Sequence, residues 1–432
     1  MASRYLSSRL MLLTITLALG LFSANLHVQA QSANPQIPNL VDGNTQFALK
    51  LYQVMRGNTQ GNLLYSPYSI SQALAMTYAG ARGNTERQMR DALVFALPQT
   101  DLHPTNLALQ SDLVARGNFG NPSPIATASP EATAIDINEP PVRMLRLANS
   151  LWGERTLAFD SGYLDLLKAN YGAGLQPTDF MTAPEKARLA INAWVAKETL
   201  DRIQDIVPSG AIDTSTRLVL ANAIYFKNAW QYPFDPTATA NKPFMLRDGQ
   251  PVDVPMMSQS DAESFGYLRG DGYQVIELPY AGQFGTMLIV LPDSGQFEII
   301  EKRLDAKFWA TITTGLKPEQ IKISMPRFKF DFASELSKAL QTLGMADAFN
   351  DHADFSGMGP KRLYISAILH KAFIAVDENG TEAAAATAVI VAAMAIMQPP
   401  TEITIDRPFI FAIRDSQTGS ILFLGRVLDP SR

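Results

Sequence analysis

The 432-residue chain has no cysteine, four histidines and a mild acidic excess, 41 Asp and Glu against 36 Lys and Arg. Without cysteine there are no disulfides and no thiolate chemistry, and a formal charge of −5 argues against a nucleic-acid partner. A chain that is 47% hydrophobic and unstapled must rest on a large buried core, and its length alone suggests two or three domains.

Met1 to Ala30 has the layout of a secretory signal peptide: Arg4 and Arg9, an apolar stretch from Leu10 to Phe22, then "VQA" before Gln31. The apolar core is too short for a membrane span. The expectation is a secreted or periplasmic protein cleaved after Ala30, and losing two arginines takes the formal charge from −5 to −7. Phe47, Leu51 and Val54 then share one helical face, and "INAWVAKETLDRIQDIV" (Ile191 to Val207) places Ile191, Trp194 and Val195 on another. Between these helices, Gly117 to Val142 holds five prolines and little apolar periodicity, which reads as a long surface loop.

Strands follow. "RLVLANAIYF" (Arg217 to Phe226), "TMLIVLP" (Thr286 to Pro292) and "LYISAILHKAFIAVDE" (Leu363 to Glu378) read as buried strands, and "FIFAI" and "ILFLGRV" as a C-terminal hairpin. Helices early and strands late suit an α+β fold. Asn222 and His370 are lone polar residues inside apolar strands; each must find a hydrogen-bond partner, and the two are candidates to meet.

The segment 378–400, "ENGTEAAAATAVIVAAMAIMQPP", is the least ordinary part of the chain, because no charged residue lies from Ala383 to Thr401. An exposed run of this kind adds readily to an open sheet edge and is an aggregation hazard. Its fifteen residues from Ala383 to Met397 are too few to span a membrane. Catalytic signatures are missing: there is no HExxH, P-loop or G-x-S-x-G elbow, and beyond the leader only His103, His352 and His370 could serve as base or ligand. Counting leaves a Ser-His-Asp triad open, but nothing locates one.

Several stretches together resemble the serpins, in order and at the expected separations: "NLLYSPYSISQALAMTYAGARGNTERQM", "ANAIYFKNAWQYPF", "VPMM", "ADFSGM", "LHKAFIAVDENGTEAAAAT" and "DRPFIFAI…GSILFLGRV". The resemblance runs from about Leu40 to the C-terminus. It replaces the length-based count by one domain, residues 31–432, of three sheets and eight or nine helices. It also implies that the uncharged segment is a bait loop. A target protease attacks one bond in it and forms a covalent acyl-enzyme, and the freed loop enters the main sheet as a new strand.

The residues suit that role. In a strand Thr381, Ala383, Ala385 and Thr387 would face one way, all small and uncharged, with Glu382, Ala384 and Ala386 on the other face. Gly380 can supply the backbone angles of a hinge. Family spacing counts seventeen residues from the hinge glutamate, Glu378, to Met394, which makes Met394-Ala395 the reactive bond; counting back from "DRPF" gives Met397-Gln398. Either presents methionine, which suits elastase-, chymotrypsin- or subtilisin-like proteases, and no Arg or Lys between Glu382 and Glu402 offers a trypsin-like site. A non-inhibitory binding protein of the same fold and an inhibitor of papain-like cysteine proteases are the alternatives.

Residue by residue, the resemblance implies that Ser66, Ser69, Asn222 and His370 form the polar cluster where the main sheet parts. It puts Trp230 beneath the loop's entry, and pairs Arg327 with Glu378. No cofactor, metal, nucleic acid or membrane is expected, and the protein is expected to be a monomer. The sequon at Asn379 reads as fortuitous, since a glycan there would obstruct the hinge.

Overall fold

A computed structural model describes residues 34–118, 143–172, 174–359, 362–382 and 399–432. The leader and most of the proline-rich segment, residues 119–142, lie outside the described residues. Helices dominate the first half: α1 (Ile37–Asn58), α2 (Pro67–Tyr78), α3 (Gly83–Leu93), α4 (Gln99–Gly117), α5 (Ser161–Tyr171) and α6 (Pro184–Glu198). Among them run β1 (Leu63–Tyr65), β2 (Met144–Glu154) and β3 (Leu175–Thr178). The second half is mostly strand: β4 (Leu218–Ala229), β5 (Asp235–Met245), β6 (Pro251–Ser258), β7 (Glu263–Gly270), β8 (Tyr273–Pro279) and β9 (Gly285–Pro292). After α7 (Phe297–Lys302) and α8 (Ala306–Thr314) come β10 (Lys317–Pro326), β11 (Phe328–Glu335), α9 (Ser337–Thr342), β12 (Ala367–Asp377) and β13 (Gly380–Thr381). The chain closes with β14 (Thr401–Thr404), β15 (Phe409–Asp415) and β16 (Ile421–Val427).

Hydrogen bonding groups the described strands into two sheets. The six-stranded one has the order β11-β12-β13-β4-β2-β3. The other has the order β1-β16-β15-β9-β8-β7-β10-β6-β5, with β14 beside β10. The third sheet expected from the resemblance is continuous with this larger one, because β10 pairs with β7 over Lys317–Ile321 and with β6 over Ser324–Pro326.

β4 shows why its sequence reads as an unbroken apolar run: both of its faces are covered. Leu218, Leu220, Ile224 and Phe226 point into the main core, while Val219, Ala221 and Ala223 pack under Ile191 and Val195 of α6. Small side chains on that second face let the helix lie close. The helix expected as far as Val207 stops at Glu198. Thr199 ends it, donating its hydroxyl to Val195 O at 2.8 Å while accepting from Ile203 N at 3.2 Å, and Leu200 and Asp201 follow in the left-handed region.

Candidate functional site

The central strands β12 and β4 run parallel and pair directly only from Ala367–Val219 to Ala372–Ile224. Beyond that they part. β13, the continuation of β12 after a tight turn, wedges into the gap antiparallel to both, with Thr381 opposite Val376 on one side and Asn228 on the other. The seam therefore has a zipped end and a wedged end.

At the zipped end sit four buried side chains and a half-buried fifth. His370 Nδ1 and Asn222 Oδ1 are 2.5 Å apart, and Ser66 N donates to His370 Nε2 at 3.2 Å. With Nε2 accepting, Nδ1 carries the proton and the imidazole is neutral. Burial drives its pKa down to about 3. Asn222 Nδ2 donates to Ser69 Oγ at 2.7 Å and also reaches Asn149 Oδ1, which accepts from Ser69 Oγ at 2.6 Å. Ser66 joins through the cap of α2, its Oγ accepting from Ser69 N at 3.1 Å. The structure thus brings Ser66, Ser69, Asn222 and His370 into one network and adds Asn149 of β2.

At the wedged end the turn is fixed from several directions. Asp377 accepts from Asn379 N at 2.9 Å and Gly380 N at 3.2 Å. Gly380 has φ 154°, a value that a residue with a Cβ rarely adopts. Trp230 N donates to Asn379 O at 2.8 Å and Phe234 N to Glu378 O at 2.9 Å. The Trp230 indole donates to Asp377 O at 3.0 Å and stacks on Tyr280, with centroids 4.6 Å apart. Glu378 accepts from Arg327 at 2.5 Å and from Thr239 at 2.6 Å. Burial alone would raise the Glu378 pKa, but these bonds and the guanidinium charge outweigh it and hold the carboxyl below its ordinary range.

Thr381 departs from the expectation that it still has to enter the sheet. It is already 2% exposed, its hydroxyl 2.6 Å from Tyr280 OH. The sheet thus already holds Thr381 between Val376 and Asn228. Ala383, Ala384, Ala385 and Ala386, and both candidate bonds, Met394-Ala395 and Met397-Gln398, fall outside the described residues.

Three partners escaped the sequence reading. Asn149 sits between Arg146 and Ser150, so it does not stand out as a lone polar residue; Thr239 lies in the irregular polar stretch "DPTATANKPF"; and Tyr280 is a tyrosine after a proline, a common loop pattern. Alternation along β2 was the only available signal, and only for Asn149.

A sequence model of the family "Serpin (serine protease inhibitor)" matches residues 42–430. The leukocyte elastase inhibitor of Sus scrofa is 40% identical over 399 residues, covering 90% of this chain and 98% of that protein. The leukocyte elastase inhibitor of Homo sapiens is 39% identical over 404 residues, covering 90% and 99%. Among solved structures, Serpin48 of the insect Tenebrio molitor superimposes with a TM-score of 0.75 at 28% identity, over 93% of this chain and 99% of that one. These relatives correct the expectation of a secreted or periplasmic protein. Nearly their whole length is taken up by the match to 90% of this chain, so they have no counterpart of a signal peptide, and the location read from residues 1–30 is withdrawn. The chain belongs to the serpin family of serine protease inhibitors.

Proposed function

We propose that the chain acts as a suicide substrate of an elastase-like serine protease, trapping it by inserting the segment after Glu382 between β12 and β4. One observation carries this reading: two parallel central strands part at one end, and a short strand antiparallel to both already occupies the gap. Lengthening β13 would replace the parallel contact by two antiparallel ladders, the better-bonded arrangement.

Register sets how far that strand can run. Continued from Thr381, the pairing brings residue 390 opposite Ala367 and residue 391 opposite Leu218, where β12 and β4 begin. Met394 then stands just past the far end of the sheet, and Met397 three residues further, which favours Met394-Ala395 as the bond. The protease serine oxygen attacks the Met394 carbonyl, the amide breaks, Ala395 leaves as a new N-terminus and an ester joins the two proteins. Insertion carries that ester along the length of the seam before water can cleave it. The elastase preference rests on methionine at the bond and on the names of the leukocyte elastase inhibitors.

Incubation with an elastase-type protease should yield a complex that survives SDS and a C-terminal fragment beginning at Ala395. A fragment beginning at Gln398 would move the bond to Met397. Full cleavage with no complex would point to a non-inhibitory member, and a complex with a papain-like protease alone would change the target class.

A further inference from the structure

β13 stops at a residue whose backbone is not extended. Glu382 has φ 51°, in the left-handed region that side chains with a Cβ avoid. Its N–H nevertheless continues the ladder, donating to Ala375 O at 2.9 Å. The local sequence Thr-Glu-Ala does not demand a break, so the reason must be sought in a tertiary contact.

That contact is an ion pair on the outer face of the sheet. The Glu382 side chain is 10% exposed and its Oε2 lies 3.3 Å from Nε of Arg202, which is 53% exposed. The Tyr225 phenol, on β4, lies against both; burial first, and the Glu382 carboxylate second, push its pKa up. Arg202 is presented by the segment after α6. Leu200 and Asp201, with φ 53° and 59°, fold that segment back, and Lys371 of β12 ties it down by donating to Gln204 O at 3.0 Å. Arg202 is thus held by α6 and β12, independently of the hinge that it touches.

We propose that Arg202, with Tyr225 beside it, is the positioning residue that holds the hinge at Glu382 in the uncut chain and so sets the threshold for loop entry. The proposal rests on the insertion reading above. To lengthen β13, Glu382 must change from left-handed to extended backbone. Continued register brings position 384 opposite Tyr225, so the incoming strand passes through the place where carboxylate, phenol and guanidinium now meet. The ion pair must break or be rebuilt one step along.

The test follows conversion of the intact protein, on mild warming, to a form that no longer inhibits protease and resists thermal unfolding. Arg202→Gln and Glu382→Gln should each convert about fivefold faster, equivalent to about 1 kcal/mol for a half-exposed pair. The double variant should be no faster than either single one, and Arg202→Lys should stay near the parent. Salt at about 1 M should speed the parent more than Arg202→Gln, in which the Arg327–Glu378 pair is left to be screened but the Arg202–Glu382 pair is not. Conversion of Arg202→Gln at the parental rate, or additive effects in the double variant, would overturn the proposal. The loop-cleaved parent separates the two readings. If cleavage does not raise its thermal stability, insertion itself is wrong; if cleavage does and Arg202→Gln still behaves as the parent, the latch alone is wrong.

Discussion

The zipped end of the β12–β4 seam is held by neutral side chains, four of the five shut away from water, whereas the wedged end is held by a carboxylate against a guanidinium that is 48% exposed. Each kind of bond fails in its own way. A buried neutral network is costly to break because every orphaned partner stays desolvated. A half-exposed ion pair contributes less and answers to salt. The wedged end also carries the glycine at φ 154° and a strand of only two residues, so under the proposed insertion it is the end expected to open. One end of the seam is held by a buried neutral network and the other by a pair that answers to the solvent.

The largest expected effect breaks the wedged end outright. Thr381→Arg places a cation where a threonine hydroxyl now meets Tyr280 in the buried core. Because Thr381 already lies inside the sheet before cleavage, the unpartnered cation should cost about 4 kcal/mol there as well; the uncut chain can relieve it by expelling β13, whereas an inserted strand cannot, so the loop should still be cut while the ester hydrolyses before it is trapped. Measured stoichiometry should show a substrate, giving cleaved inhibitor and active protease. Parental stoichiometry in this variant would remove insertion from the mechanism.

Acid should break the zipped end. The His370 pKa is about 3 in the folded chain against an ordinary 6.5, so as pH falls the unfolded chain takes up the proton first. Stability from this residue is complete above pH about 6.5 and is lost toward pH about 3, by about 1.4 kcal/mol per unit. Protonation also turns Nε2 into a donor facing the Ser66 N–H. At the wedged end the two carboxyls are shifted oppositely, Glu378 below its ordinary range and Asp377, by burial, above its own, so acid acts on that end through Asp377 first. His103, also buried and pushed down to about 4, adds a loss of the same sign. The sharper measurement is therefore the difference between the parent and His370→Gln. The variant should lose less stability from pH 6.5 to 4; equal acid slopes would mean that the zipped end does not carry the effect.

The smallest effect concerns Glu378→Gln, which keeps the shape but removes the charge that Arg327 meets. A cost of about 1 kcal/mol is expected at low salt, shrinking as salt rises. Thermal melts at two ionic strengths check this, and a salt-independent cost would mean that the Thr239 bond is the part that matters.

Much of the scaffold can be read from the chain, and the reasons are local. β4, β9, β12 and the β15–β16 hairpin announce themselves as apolar runs, and Asn222 and His370 stand out because each interrupts one. The limits are equally physical. Whether Thr381 is inside or outside the sheet depends on how widely β12 and β4 part, which no residue pattern encodes. The true end of α6 depends on Thr199 turning its hydroxyl onto its own helix, where periodicity suggests continuation. Arg202 and Tyr280 act across large sequence separations from segments between the regular elements, and Thr239 from a strand with no apolar alternation, so nothing marks them beforehand.

Hydrogen exchange at the open part of the seam tests the central claim most directly. In the uncut protein, backbone groups of Phe373 and Ile374 and of Tyr225–Lys227 that face the gap have no full partner strand among the described residues. After cleavage by an elastase-type protease, amides there should become strongly protected as an inserted strand bonds both edges, whereas those of Ala367–Ala372, already paired with β4, should exchange one partner for another with little change. Unchanged exchange across β12 and β4 after complete cleavage would contradict insertion between these strands.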